Sequence, residues 1–143
     1  MTAATDTFRS FLYVLAATMD DPRLTVSDLA ERLHLSRFHV DRLVSSVAGE
    51  TPSAMRRRVL LERAAYRLVT TDHDILAVAV ESGFDSHEGF TRAFGRAYGA
   101  PPSLWRTTRS SFRLGPSRAV HFHPPAGLDL PSTRKEAAMN LTT

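Results

Sequence analysis

The sequence predicts an all-α fold: two helix-turn-helix subdomains joined by a long linker helix, about seven helices in all, followed by an irregular C-terminal tail. Three observations predict it. Apolar residues recur at helical spacing up to about residue 115. Helix start and stop residues, chiefly Ser, Pro and Gly, interrupt that spacing at regular points. A stretch of the chain also repeats 50 positions later.

Each expected helix has its own start and stop signals. Ser27, Ser36 and Ser86 are placed to act as N-caps. Gly49 and Gly99 stand where two helices should end. The expected helices cover residues 7–19, 27–33, 36–48, 52–69, 75–82 and 86–98, with a short seventh after Pro102. These give a domain at 6–115, with subdomain one at 6–51, the linker helix at 52–71, subdomain two at 72–111, and a Pro-containing linker or tail at 116–143.

The repeat consists of five identities in one register, together with apolar matches. Any two amphipathic helices share apolar periodicity, but they do not share a Gly-x-x-Pro-Ser-x-x-Arg string. The preceding short helices match at an offset of 49, so the second turn should hold one extra residue. The five identities are Arg42/Arg92, Gly49/Gly99, Pro52/Pro102, Ser53/Ser103 and Arg56/Arg106.

A short helix, a tight turn and a capped second helix form the helix-turn-helix unit. The second helix of such a unit presents its N-terminal residues to the major groove of DNA. Two units on one linker helix would reach two successive major-groove segments on one face of the duplex, ~34 Å apart.

In the first of these recognition helices, helical spacing leaves Arg37, Phe38, Asp41 and Arg42 outside. Arg42 can bond guanine bidentately, and Phe38 can contact a thymine methyl group. The alternatives are a phosphate contact or a solvated side chain for Arg42, and a core position for Phe38. The residues expected to face inward are Leu35, Val40, Leu43, Val44 and Val47.

In the second recognition helix, His87, Glu88, Thr91 and Arg92 are expected to face outward. Glu88 can accept from a cytosine amino group, or it can simply complement the helix dipole. His87 or Thr91 can bond a base or a phosphate. Phe84, Phe90, Phe94 and Ala97 should face inward.

Charge alone is a weak argument for nucleic acid, because the 143-residue chain has a net charge of only +3. Of its 18 Lys and Arg residues all but Lys135 are arginine, which suits fork-like pairing with phosphates and guanines but is equally well explained by the codon usage of a GC-rich genome. The candidates for phosphate contact, each with a solvated face as the alternative, are Arg56, Arg57, Arg58, Arg63, Arg67, Arg106, Arg109, Arg113 and Arg118.

Other functional classes lack their residues. The chain has no cysteine, which excludes a disulfide scaffold, a thiol nucleophile and a Cys-ligated zinc site. His121 and His123 lack a third ligand, so no metal or other cofactor is expected. No catalytic residues are indicated. With no apolar run long enough to span a membrane and no secretory signal, we expect a cytoplasmic protein.

Four strings carry a family resemblance. They are Leu29-Ala30-x-x-Leu33-x-Leu35-Ser36-x-x-His39-x-x-Arg42-Leu43, Arg57-x-x-Leu60-Leu61-Glu62-Arg63-Ala64, Gly83-Phe84-Asp85-Ser86-x-x-x-Phe90-x-Arg92-Ala93-Phe94 and Gly99-x-x-Pro102-Ser103-x-Trp105-Arg106. The chain resembles, over residues 6–111, the DNA-binding domain of the AraC/XylS family of bacterial transcription regulators.

The resemblance implies seven helices, two helix-turn-helix units on a shared linker helix, and a transcription regulator that binds an asymmetric promoter site, with RNA polymerase as a further partner. An activator is expected, with a repressor as the alternative that the sequence leaves open. The base-contacting positions of the family fall on Phe38, Asp41, Arg42, His87, Glu88 and Arg92.

Several alternatives remain open. The chain can be a ligand-responsive regulator fragment whose sensing domain is missing, with an unknown effector, or a helical protein-interaction module. A DNA-repair methyl acceptor of similar build needs a cysteine and is excluded. The tail suggests a fragment cut from a longer protein, because Phe122, Leu128 and Leu130 have no evident apolar partner.

Overall fold

The computed structural model describes residues 3–108, 110–129 and 140–141, and the all-α prediction is confirmed. The helices are α1 (Ala3–Ala17), α2 (Val26–Arg32), α3 (Arg37–Ala48), α4 (Pro52–Thr70), α5 (Ile75–Glu81), α6 (His87–Tyr98) and α7 (Pro102–Trp105). Three two-residue strands follow, β1 (His121–Phe122), β2 (Leu128–Asp129) and β3 (Asn140–Leu141). They form an antiparallel sheet in the order β1-β2-β3.

The linker helix α4 is shared between two apolar cores. Val59 and Leu60 on α4 belong to the first core, with side chains from α1, α2 and α3. Leu61 and Leu68, further along α4, belong to the second core, with side chains from α5, α6 and α7. Each subdomain therefore buries its short helices against one half of the same long helix.

The two helix-turn-helix turns have the same backbone geometry. His34 and Gly83 both adopt positive φ, 59° and 88°. After each of them a backbone amide reaches back to the preceding helix, Leu35 N to Ala30 O and Phe84 N to Ala79 O, both at 3.0 Å. This is the Schellman pattern of helix termination. The next helix begins at residue 37 in one unit and 87 in the other, so the extra residue predicted for the second turn is confirmed.

The predicted ends of the recognition helices are confirmed in both units. The Oγ atoms of Ser36 and Ser86 accept from backbone amides three residues on, each at 3.0 Å. Gly49 and Gly99 end the helices with φ of 76° and 75°. Residues with a Cβ rarely adopt this left-handed conformation, which explains the repeated glycine.

The predicted N-cap of α2 is wrong, because Thr25 rather than Ser27 caps this helix. The Thr25 hydroxyl accepts from the Asp28 amide at 3.2 Å, and the Asp28 carboxylate accepts from the Thr25 amide at 2.8 Å. This reciprocal capping box satisfies two free helix donors and moves the start of α2 so that Val26 is buried.

The described C-terminal segment, residues 116–129, has mostly irregular backbone, as expected, but it packs against the first core. The expectation that Phe122 and Leu128 lack an apolar partner is wrong, since both are fully buried in the first core together with Val120. Within the tail, His121 and Phe122 form β1. Leu130 and Lys135 lie outside the described residues.

Candidate nucleic-acid interface

The eight predicted contact residues occupy four equivalent positions on α3 and α6. The pairs are Arg37/His87, Phe38/Glu88, Asp41/Thr91 and Arg42/Arg92. Within each helix they lie at i, i+1, i+4 and i+5, which places them on one face of the first turn and a half. We call these two faces the recognition strips.

The strip on α3 is open to solvent and partly organised by its own side chains. Phe38 is 67% exposed, so its alternative as a core residue is excluded. The Arg42 guanidinium carbon lies 5.2 Å from the centre of the Phe38 ring, a cation–π distance. Arg37 Nε lies 3.5 Å from Asp41 Oδ2. The strip thus offers an apolar surface beside a guanidinium group, which suits the edge of a base pair.

The strip on α6 differs at one position from the prediction. His87, Glu88 and Arg92 are exposed. Thr91 is half-buried, and its hydroxyl oxygen is buried with no hydrogen-bond partner among the described residues. In this conformation the hydroxyl oxygen is not accessible to a base. Base contact by Thr91 therefore stays a prediction, and the burial of the oxygen argues against it.

The prediction that Val47 faces inward is also wrong, since it is 45% exposed. In this last turn of α3, Ala48 rather than Val47 packs against the first core. Sequence spacing alone could not choose between them, because either residue continues the apolar face of the helix.

The repeated arginines Arg56 and Arg106 have an equivalent structural role. Arg56 Nη2 donates to the carbonyls of Thr18 and Asp21, at 3.1 and 2.8 Å, just beyond α1. Arg106 donates to the carbonyl of Leu68, at 2.9 Å, near the end of α4, and to that of His73. Burial lowers the pKa of Arg56 from its ordinary value. Both arginines therefore donate to backbone carbonyls at the end of α1 or α4 or in the loop that follows it, and these donors are engaged within the protein.

Other arginines of α4 are also engaged within the protein. Arg63 is almost fully buried, and its Nη1 lies 2.7 Å from Asp20 Oδ1. Burial, together with the charge of Arg67, lowers the pKa of Arg63. Arg67 Nη1 lies 2.7 Å from Glu81 Oε1.

Arg57 is exposed and lies over the Phe84 ring, with its guanidinium carbon 4.9 Å from the ring centre. An open groove of about 490 Å³ runs beside Arg57, between the two helix-turn-helix units. Arg37, at the start of α3, lines the same groove. Arg37 and Arg57 thus place two guanidinium groups beside this groove. Arg109 lies outside the described residues, and Arg118 is exposed.

The described part of the chain holds neither a cluster of metal ligands nor a membrane-spanning helix. Within residues 3–108, 110–129 and 140–141, no three His, Cys, Asp or Glu side chains gather closely enough to hold a metal ion. In the same ranges no helix is both long and apolar enough to cross a membrane.

Comparison with protein families settles the relationship. A model described as a helix-turn-helix domain, of the AraC type, matches residues 29–108. The chain belongs to the AraC/XylS family. The matched residues include both recognition strips and end before the C-terminal segment.

A curated relative supports this assignment. Over 110 residues the chain is 32% identical to the transcriptional regulator Rob of Salmonella typhimurium. These aligned residues make up 76% of this chain and 38% of Rob. The chain therefore spans well under half of that relative.

Solved structures give the same fold. The C-terminal domain of AraT, a response regulator from Geobacillus stearothermophilus, superposes with a TM-score of 0.69 at 24% identity, covering 86% of this chain and 98% of that domain. The DNA-binding domain of AdpA, solved with a target DNA, has a TM-score of 0.61 at 24% identity, covering 74% of this chain and 91% of that one. At these identities the likeness concerns the fold alone.

Proposed function

We propose that this chain is a sequence-specific DNA-binding transcription regulator, which inserts α3 and α6 into successive major grooves of a promoter site. One observation carries the proposal: two capped helices of an AraC/XylS-type domain expose side chains at matching positions at their N-terminal ends. The name of Rob and the DNA bound to the AdpA domain agree with this proposal.

In this proposal the residues of the recognition strips have different roles. Arg42 and Arg92 bond guanine edges, and Phe38 contacts a thymine methyl group while holding Arg42 in place. Asp41 and Glu88 carry negative charge, which phosphates repel, so they act in base choice and not in general affinity. His87 and Arg37 contact bases or phosphates at the edges of the strips. Arg57, in the groove between the units, adds a phosphate contact that is independent of sequence.

The proposed action is binding without catalysis. At the promoter the bound chain would act on RNA polymerase as an activator. Transcription in vitro from a bound promoter, with and without the protein, measures this step and gives its sign. The domain boundaries proposed from the sequence, 6–115 for the DNA-binding domain and 116–143 for the tail, belong to the same proposal.

The decisive experiment selects duplexes from a random library and measures affinity by fluorescence anisotropy across salt concentrations. Arg42→Ala and Arg92→Ala should each weaken binding to the selected site by about 10- to 100-fold, or ~1–3 kcal/mol, and relax base preference at one position. Arg96→Ala is the matched control, since Arg96 is exposed on α6 outside the strip. It should reduce affinity slightly and equally for all sequences.

Two outcomes would count against the proposal. If the library yields no duplex bound better than random DNA, sequence-specific binding is refuted. If sites are found but Arg42→Ala and Arg92→Ala keep the affinity and base preference of the parent, the protein reads DNA with other residues.

A further inference from the structure

We propose that residues 110–129 form a strap that fixes the relative orientation of the two recognition helices, with Glu62 as the positioning residue at its centre. The strap would thereby decide which spacing of DNA contacts α3 and α6 can reach together. That consequence rests on the proposed function, whereas the effect on orientation does not.

Glu62 on α4 is fully buried and accepts hydrogen bonds from the strap at both carboxylate oxygens. Its Oε1 accepts from the Phe122 amide, and its Oε2 from the Leu114 amide, each at 2.8 Å. His121 Nδ1 lies 2.8 Å from the same Oε2. Charged, buried hydrogen bonds of this kind are among the strongest in proteins. One carboxylate therefore holds the strap at two points along its length.

The end of α3 is tied to this carboxylate through Arg58. Arg58 Nη1 lies 3.2 Å from Glu62 Oε2. Its Nε and Nη2 donate to the two carboxylate oxygens of Glu50, at 3.2 and 2.7 Å. Glu50 directly follows Gly49, the C-cap of the first recognition helix. A bidentate pair of this kind fixes direction as well as distance.

The end of α6 is tied to the strap through Tyr98, the last residue of this helix. The Tyr98 hydroxyl donates to the carbonyl of Phe112. Burial, with a contribution from the negative charge of Glu62, raises the pKa of Tyr98, so its hydroxyl keeps its proton and remains a donor. Phe112 packs against both cores, with its ring centre 5.9 Å from that of Tyr66.

The end of α6 thus contacts the strap directly, and the end of α3 reaches it through Arg58 of α4, whose Nη1 also donates to the Leu114 carbonyl at 3.4 Å. The strap is anchored in the first core by Val120, Phe122 and Leu128. A rotation of one subdomain against the other would break the Tyr98–Phe112 hydrogen bond, or would pull the strap away from Glu62, which accepts from the Leu114 and Phe122 amides. Leaving such groups unpaired in the interior is unfavourable.

The test uses a distance between the recognition helices. Because the chain has no cysteine, spin labels can be attached through Ser46→Cys and Arg96→Cys, at exposed, equivalent positions outside the strips. Pulsed electron paramagnetic resonance then gives the distance distribution in the labelled parent, Glu62→Gln and Tyr98→Phe. Glu31→Gln, at an exposed glutamate on α2, is the matched control.

If the strap fixes the orientation, the distribution of distances between the two labels should be narrow in the parent and in Glu31→Gln. Glu62→Gln and Tyr98→Phe should each widen this distribution about twofold, because the orientation of α3 relative to α6 then fluctuates. Circular dichroism confirms that each variant is folded. Should Glu62→Gln not fold, the milder Tyr98→Phe decides alone. An unchanged width in folded variants overturns the proposal, since a strap that adds only stability would leave the distance as it is.

A second arm uses duplexes with one base pair inserted between the two contacted segments. One base pair moves one segment by ~3.4 Å and turns it by ~35° relative to the other. The parent should lose about tenfold in affinity on insertion, a typical value for one lost contact, and Tyr98→Phe should lose about threefold. An equal loss in both contradicts the strap. If no duplex is bound better than random DNA, the proposed function fails while the distance arm still tests the strap.

Discussion

Replacing Phe122 by alanine tests whether the C-terminal segment is part of the folded domain. Phe122 is fully buried in the first core, and its ring centre lies 5.8 Å from that of Tyr66 and 6.2 Å from that of Phe112. A fully buried Phe→Ala change removes apolar burial and leaves a cavity, at a cost of ~3–5 kcal/mol. That is a large part of the ~5–15 kcal/mol by which most domains are stable.

Phe38→Ala is the matched control for this substitution. Phe38 is 67% exposed and its described contact is the Arg42 guanidinium, an exposed pair worth ~0.5–1 kcal/mol. We therefore expect Phe38→Ala to lower the free energy of unfolding by less than about 1 kcal/mol. The same Phe→Ala substitution at these two positions should therefore change the free energy of unfolding by amounts that differ severalfold, because only one of the two rings is buried.

Urea unfolding followed by far-ultraviolet circular dichroism measures both variants. The urea midpoint should fall for Phe122→Ala with its slope unchanged. In thermal melts, at roughly 3–5 °C per kcal/mol for a chain of this size, its Tm should fall by about 10–20 °C. A loss no larger than that of Phe38→Ala would refute the reasoning, because the segment would then not be packed on the domain.

Two further predictions concern helix ends. Gly99→Ala should lower stability by about 1 kcal/mol through its positive φ alone, since an added Cβ meets nothing within 4 Å. Gly95 lies inside α6 with open space around it, so Gly95→Ala should instead raise the free energy of unfolding by ~0.5–1 kcal/mol. Thermal melts in which the two variants shift Tm in the same direction would contradict the role given to the positive φ of Gly99. The hydrogen bond from the Thr25 amide lowers the pKa of Asp28 below its ordinary 3.8. Its stabilisation is therefore present above that value and lost as pH falls through the lower folded pKa. Asp28→Asn should flatten the fall of Tm with pH in this acidic range, and an unchanged slope would show that the capping box contributes nothing.

Much of the fold could be predicted because its signals are local. Helix caps such as Ser36 and Ser86 act within three residues, and the stop at Gly99 depends on its own φ. The recognition strips follow from helical geometry once the helix starts are known. The repeat adds an internal check, because each signal occurs twice.

The rest depends on contacts between distant residues. Arg56 and Arg106 could not be distinguished from surface arginines, since the carbonyls that they satisfy lie up to 38 positions away. Glu62 accepts from residues 52 and 60 positions further on. No pattern along the chain indicates that a carboxylate in an arginine-rich helix will be buried. The packing of the C-terminal segment, which donates to this carboxylate, could therefore not be predicted either.

The burial of Arg63 has a consequence for how the protein unfolds. This one side chain donates to the Met19 carbonyl in the first subdomain and to the Glu81 carbonyl in the second. If the chain were cut between the two copies of the repeat, Arg63 would lose either the Glu81 carbonyl or both the Met19 carbonyl and the Asp20 carboxylate, depending on which fragment keeps it. The two copies can be recognised separately in the sequence, yet because they share this buried arginine we expect them to unfold in one cooperative transition.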